Sequence, residues 1–436
     1  MSGSSEFSAA TLIRNVRVFD GLSDRLSAPS DVLVRAGVID SISTGPLRFA
    51  DGEHGCEIDG GGRVVMPGLI DAHWHAAFAA LPLAAMLSAD VGYVHVAAGR
   101  EAERTVMRGF TTVRDAGGPT FGLKRAIDEG MVVGPRIFPA GAMISQTSGH
   151  GDFRAVHEIP RGVCGHLAHT ERIGGTVIAD GVDEVLRGVR EQLMLGASHI
   201  KMMAGGGVAS AYDPIDVTQY TEAELRAGVE AAENWGTYVM VHAYTPRAVQ
   251  QALRAGVKCV DHGHLLDDET VAMIAEAGAW WSLQPFLDDE DSIPVPAANR
   301  DKQAMVVDGT DRAYVLAKKH GVKLAWGTDT LFDARLASRQ GAQLAKMVRW
   351  FTPAEVLRMA THDNAQLCAM AGPRNPYPGR LGEVTEGALA DLIIVDGNPL
   401  DDLGLIAEPD TGLAVIIKGG RIYKNLLHSP TGQADR

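Results

Sequence analysis

The chain has 436 residues, 46% of them hydrophobic and 22% charged, with 50 Gly and 20 Pro, an ordinary globular profile that excludes wholesale disorder and collagen-like or low-complexity architecture. Lys and Arg number 40 against 54 Asp and Glu, a net charge of −14, and such a surface repels phosphate backbones and anionic lipid, arguing against nucleic acid or a membrane surface as partner. The cysteines Cys56, Cys164, Cys259 and Cys368 form no C-x-x-C pair, which speaks against a thiolate zinc site or a disulfide framework and fits a reducing compartment.

In chain order, Met1 to Phe7 has neither the basic nor the apolar region of a signal peptide, so a cytoplasmic location is expected. Residues 11–19 and 31–43 alternate apolar and polar side chains, the pattern of antiparallel strands. From about 64 to 330 one pattern recurs: a short apolar run, a polar stretch with Gly or Pro, then an amphipathic helix. The predicted strands are 65–73, 110–116, 136–144, 199–204, 238–244, 259–265, 280–285 and 323–329. The apolar run Ala76–Leu87 is interrupted by Pro82 and falls short of the roughly 18 residues that span a bilayer, so it is expected to be a buried helix or a pocket-lining loop. Thr221 and Glu224 form a capping box opening a helix to Gly236, and Thr245 with Pro246 opens another to Gly256. A helix is expected over Pro353–Ala371, followed by alternating strands at 391–396 and 413–424.

Alternating strands and helices call for parallel pairing. The expected fold is therefore α/β: a (β/α)₈ TIM-type barrel over 64–377, carrying a small β-sandwich domain built from both termini, 1–63 and 378–436. A doubly wound open sheet is the competitor, and it would need a Gly-rich phosphate turn after the first strand that this chain lacks.

Chemistry in a barrel belongs at the carboxyl ends of the strands. The first strand ends Asp71-Ala72-His73-Trp74-His75, and alternation puts Asp71, His73 and His75 on one face. His242 ends the fifth strand, His262 lies near the end of the sixth, and Asp329 closes the eighth. Nitrogen and oxygen donors without thiolate suit Zn²⁺, Mn²⁺ or a similar ion in a catalytic, open site. Five such ligands are too many for one catalytic zinc and too few for two ions without a bridge. The fourth strand offers Lys201, inward by parity, with His199 one layer below.

At this point the sequence resembles the amidohydrolase superfamily. The resemblance spans PGLIDAHWH, GFTTVRDAGG, Thr147-Ser148-Gly149-His150-Gly151-Asp152, HIKMMAGGG, VHAY, DHGH, WGTD and GALADLIIVDGNPLDD, and it is strongest to the dinuclear Xaa-Arg/Lys and Xaa-Pro dipeptidase subgroup. That resemblance implies two divalent ions, expected to be Zn²⁺. His73, His75 and Asp329 would hold the buried one and His242 and His262 the exposed one, with Lys201 carboxylated by CO₂ bridging both. It further implies that Asp329 takes a proton from the attacking water and returns it to the leaving amine. His150 and Tyr244 would orient the substrate's carboxylate or scissile carbonyl.

The implied reaction removes the C-terminal residue from small N-acyl amino acids, including those with a bulky aromatic acyl group as in ochratoxin A. A homo-oligomer, possible up to an octamer, is expected on the same ground. Gln343 departs from the resemblance, standing where many relatives carry Glu, and no role is assigned to it. His264 is a second-layer candidate and Asp71 a structural one. Gly205-Gly206-Gly207 suits either close backbone approach to a ligand or a flexible loop. A mononuclear deaminase or ring hydrolase would instead want Glu soon after His242, where Tyr244 and Thr245 stand. A non-catalytic scaffold would tolerate lost ligands, and none is lost.

Overall fold

The computed structural model describes residues 10–155, 157–158, 165–210 and 212–427; Met1–Phe7, Cys164 and residues 428–436 lie outside them. The chain opens with β1 (Ala10–Val18), β2 (Ser30–Arg35), β3 (Val38–Ser43), β4 (Gly55–Asp59) and β5 (Val64–Pro67). Ten strands follow in the barrel region: β6 (Leu69–Trp74), β7 (Phe110–Asp115), β8 (Arg136–Pro139), β9 (Met143–Ser145), β10 (Thr176–Ile178), β11 (Ile200–Met203), β12 (Val239–Ala243), β13 (Cys259–His262), β14 (Trp280–Leu283) and β15 (Lys323–Trp326). β16 (Leu392–Val395), β17 (Leu413–Lys418) and β18 (Arg421–Asn425) close the chain.

The terminal strands join in one sheet of order β18-β17-β16-β5-β1-β2-β3, with β4 on β1. Both ends of the chain thus build it; most of its pairs are antiparallel, as their alternation predicts, but β1 pairs parallel with β4 and β5 because the chain returns to its edge in the same direction. Val32, Val65, Ile394, Val415 and their neighbours fill its core. The parallel strands run in two arcs, β6-β7-β8 and β10-β9-β11-β12-β13-β14-β15, wrapped by helices in a TIM-barrel-type α/β fold.

Two predicted strands are each divided. The run 65–73 contains β5, which pairs with β16 and β1, and β6, which pairs with β7. Gly68 stands at the joint, where a Cβ would lie 2.1 Å from Thr111 Oγ1, so only glycine lets the chain pass from sheet to barrel. The run 136–144 splits into β8 and β9 because Gly141 adopts φ +76°, which ends the extended backbone. Counting β8 and β9 as one stave, β6, β7, β11, β12, β13, β14 and β15 complete eight.

No ladder joins β15 to β6 among the described residues. Side chains close that seam instead: Asn364 Nδ2 donates to Ile70 O at 2.7 Å and Trp326 O at 2.8 Å, while its Oδ1 accepts from Trp326 N. Asp71 adds bonds from Thr328 N and Oγ1 and from Gln340 Nε2, so it is structural, as expected. The helix predicted over Pro353–Ala371 is interrupted by a π turn at Met359–Asp363, the kind of local widening that re-aims a side chain, and Asn364 follows it directly.

Helix capping follows the sequence at Thr221, whose side chain accepts from Glu224 N, while the Glu224 carboxylate accepts from Thr221 N at 2.7 Å. Thr245 differs. It precedes the helix Pro246–Ala255 but makes no capping bond, and its buried hydroxyl meets no partner among the described residues.

Candidate metal centre

The ends of five strands bring the predicted ligands together. His73 and His75 share a face of β6 and its extension. Asp329 lies beyond β15 and is anchored by a backbone bond from its N–H to His73 O at 2.8 Å. Its Oδ1 stands 3.2 Å from His73 Nε2 and 3.3 Å from His75 Nε2, and Oδ2 stands 3.8 Å from His262 Nδ1. His73, His262 and Asp329 offer ligand atoms within 4.8 Å of one another. His242 adjoins them, its ring centroid 4.5 Å from that of His262. All are buried.

Two of these residues hold left-handed backbone conformations that are uncommon outside glycine, φ +74° at His262 and φ +49° at Asp329. Cys259 and Asp261 both contact Arg114, so they share the inner face of β13. Alternation alone would turn His262 away from them. Its positive φ instead brings the ring to the cluster, and such strain persists where surrounding structure imposes it.

Each imidazole is held by a bond at one nitrogen. His73 Nδ1 meets Asp261 Oδ1 at 2.7 Å, His75 Nδ1 meets Gly117 O at 2.8 Å, His242 Nε2 meets Gly206 O at 3.0 Å and His262 Nδ1 meets Gln284 Oε1 at 2.8 Å. This is the arrangement that fixes ring orientation and tautomer in metal-binding histidines. Burial drives His242 and His262 well below the ordinary imidazole range; His150 reinforces this at His242, and Asp329 opposes it at His262 without reversing it. They are therefore neutral, as ligands must be. Asp329 lies well below the usual carboxylate range, because His73 and His75 outweigh the upward push of burial.

Lys201 projects from β11 into the same space and is 1% exposed. Its Nζ finds no hydrogen-bond partner among the described residues, and burial lowers its affinity for a proton despite Asp261 and Asp329. A buried ammonium without partners is costly, so this position suits a modified or neutral amine. His199 is also buried, its ring stacked on Tyr238 with centroids 5.6 Å apart.

His150 stacks on His242 at 4.0 Å between centroids, and its Nδ1 lies 2.6 Å from Ser210 Oγ and 3.2 Å from Asp213 Oδ2. Gly207 permits that placement: a Cβ there would fall 2.1 Å from the His150 ring. Close packing thus explains two glycines of the 205–207 run, Gly207 against the His150 side chain and Gly206, whose Cβ would fall 1.9 Å from Pro214 O, though neither approaching group is a ligand. Tyr244 packs between His242 and His262, at 5.1 and 5.2 Å.

Both His150 and Tyr244 line a cleft that reaches Asp329 and His242. A second cavity behind it is lined by His73, His75, Lys201, His262 and Phe78, placing the helix Ala76–Ala80 at the pocket wall. His264 is buried beside them, bonded through Nε2 to Gln284 O. Asp261, Gln284, Ser210 and Asp213 carried no signal in the sequence, since each meets its histidine only through strand and loop packing.

A model of the amidohydrolase family matches residues 64–422. Ochratoxinase of Aspergillus niger is 33% identical over 396 residues, covering 86% of this chain and 78% of its own. Among solved structures, a prolidase complexed with N-methylphosphonate-L-proline is 33% identical with a TM-score of 0.87, over 96% of this chain and 100% of that one. A Xaa-Pro dipeptidase with methionine in its active site is 29% identical with a TM-score of 0.81, over 96% and 100%.

Proposed function

Since this chain belongs to the amidohydrolase family and is a hydrolase of amide bonds, we propose that it is a dinuclear metal-dependent carboxypeptidase of small N-acyl amino acids and dipeptides, with ochratoxin A among its substrates. The observation that carries this reading is the convergence of four oriented histidines and Asp329 on the unpartnered Nζ of Lys201.

The residues fit the metals. His73, His75 and Asp329 would hold one ion and His242 and His262 the other. Lys201, as an N-carboxylate formed from its amine and CO₂ with loss of a proton, would bridge them. Two divalent ions, Zn²⁺ by the family resemblance and compatible with the donor set, would supply a Lewis acid for the scissile carbonyl and lower the pKa of water.

The chain's own groups do the rest. Asp329, kept ionised by its histidines, accepts a proton from the attacking water and delivers it to the leaving amine. His150, fixed by Asp213 and Ser210, and Tyr244 orient the substrate's carboxylate or carbonyl. The apolar wall of the cleft, with Phe286, Leu287 and Val306, suits an aromatic group, and this favours ochratoxin A and N-acyl-phenylalanine.

We further propose the division into a barrel over 64–377 and a β domain from 1–63 and 378–436, a homo-oligomeric state, and a reducing, cytoplasmic setting in keeping with the scattered thiols. No described helix is long and apolar enough to cross a membrane.

The experiment is chromatographic. Purified protein is incubated with ochratoxin A and with N-acyl-Phe, -Arg, -Lys and -Pro, before and after chelation and zinc return, and the free amino acid and metal per chain are measured. Phenylalanine released from ochratoxin A, lost on chelation and restored by zinc at about two ions per chain, is the expected result. Cleavage of other members only would remove ochratoxin A from the reading, and a single ion per chain would remove the dinuclear centre.

A further inference from the structure

Two carboxylates, Asp289 and Asp291, stand among the apolar side chains that wall the cleft, and no Lys or Arg among the described residues lines it. Unpaired, they would draw a cationic side chain into it. They are paired from outside. Lys346 Nζ lies 2.6 Å from Asp289 Oδ2 and also pairs with Asp291 Oδ2. Arg339 pairs with Asp291 through Nε and with Glu290 through Nη2 at 2.9 Å. These two cations flank the helix Gln340–Ala345 and neither lines the cleft, so they reach the acids from behind. Gln343, from the same helix, does line it and presents only a neutral amide.

We infer that Arg339 and Lys346 are specificity-determining residues: by cancelling Asp289 and Asp291 they make the cleft accept an uncharged apolar group and reject a lysyl or arginyl side chain. The inference rests on the proposed function, which places the substrate in this cleft. A cation entering it would lose water without gaining a free counterion, whereas an aromatic ring gains from burial. The cations behind the wall act as the repulsive element of the discrimination.

On zinc-loaded enzyme, kcat/KM for N-acyl-Phe is expected to exceed that for N-acyl-Arg and N-acyl-Lys by about 100-fold or more. Lys346→Met is expected to shrink this ratio by about tenfold. Arg339→Met, at a side chain 39% exposed, is expected to act in the same direction and keeps the test available if the first variant fails to fold. Asp289→Asn/Lys346→Met is expected to restore the parent ratio, because the cleft is uncharged again.

Equal rates on N-acyl-Phe and N-acyl-Arg in the parent, or an unchanged ratio in both single variants, would overturn the inference. So would a shifted ratio that survives in the double variant, since a loosened loop would then be the cause. Cleavage of no member of the panel would overturn the proposed function itself, whereas cleavage of N-acyl-Phe with an unmoved ratio would overturn this inference alone.

Discussion

Nδ1 of His73 and Oδ1 of Asp261 meet at 2.7 Å in the buried centre of the barrel, and the same oxygen accepts a bond from Arg114 Nη2 at 2.9 Å. Burial pushes the Asp261 carboxyl up, but Arg114, Lys201 and His73 hold it well below the usual range. An ionised acceptor on Nδ1 makes that nitrogen the donor and would leave the Nε2 lone pair for a metal ion. Asp261→Asn is therefore expected to weaken metal binding by about 10- to 100-fold. Competition with a chelator of known affinity reads this directly, and an unchanged affinity would show that Asp261 serves the fold alone.

Asp329→Asn separates ligation from proton transfer. Asn tolerates the left-handed backbone found at this position, so the fold is expected to persist. Metal content is expected to stay largely intact while kcat falls by about 10²- to 10⁴-fold. Near-normal turnover with intact metal would exclude Asp329 as the proton carrier.

Lys201 is testable by replacing its chemistry. Lys201→Ala and Lys201→Arg are expected to lose metal and activity together. Added short carboxylates are expected to restore part of both in the Ala variant only, because the cavity can then admit a carboxylate where the proposed carbamate would stand. Full activity of Lys201→Ala without additive would exclude the bridging role.

Away from the site, Lys418 reaches Gly134 O beside the Arg136 and Asp391 pair that ties β8 to the terminal sheet. Burial lowers its pKa from 10.5 to about 8. Between those values the unfolded chain holds a proton that the folded chain has released, so stability rises with pH across that window. The slope is up to about 1.4 kcal/mol per pH unit. Urea unfolding at several pH values across roughly that window is expected to show a rise in the parent that Lys418→Met lacks; parallel curves would refute it.

Much of the architecture was legible because it rests on local periodicity. Alternation placed His73 and His75 on one face, and the capping residues at Thr221 and Glu224 opened their helix where expected. The divisions at Gly68 and Gly141 were not legible, because apolar runs continue across both joints. Nothing local distinguishes a strand that changes sheets from one that does not. Thr245 had the right residue type for a cap, yet its side chain points elsewhere once the neighbouring strands are packed.

By itself the sequence determined the donor set, its order along the strands and the α/β alternation, since residue type and spacing are enough for those. Tertiary structure alone decided how the donors are aimed. Asp261 lies 188 residues from the His73 ring it orients, and Gln284 reaches His262 only because β13 and β14 pair. The positive φ of His262 and Asp329 does not follow from their residue types, which reach this region more often than most but still seldom. Each is a locally unfavourable backbone held in place by packing and by the bond from Asp329 N to His73 O, and no stretch of chain read alone contains the forces that impose it.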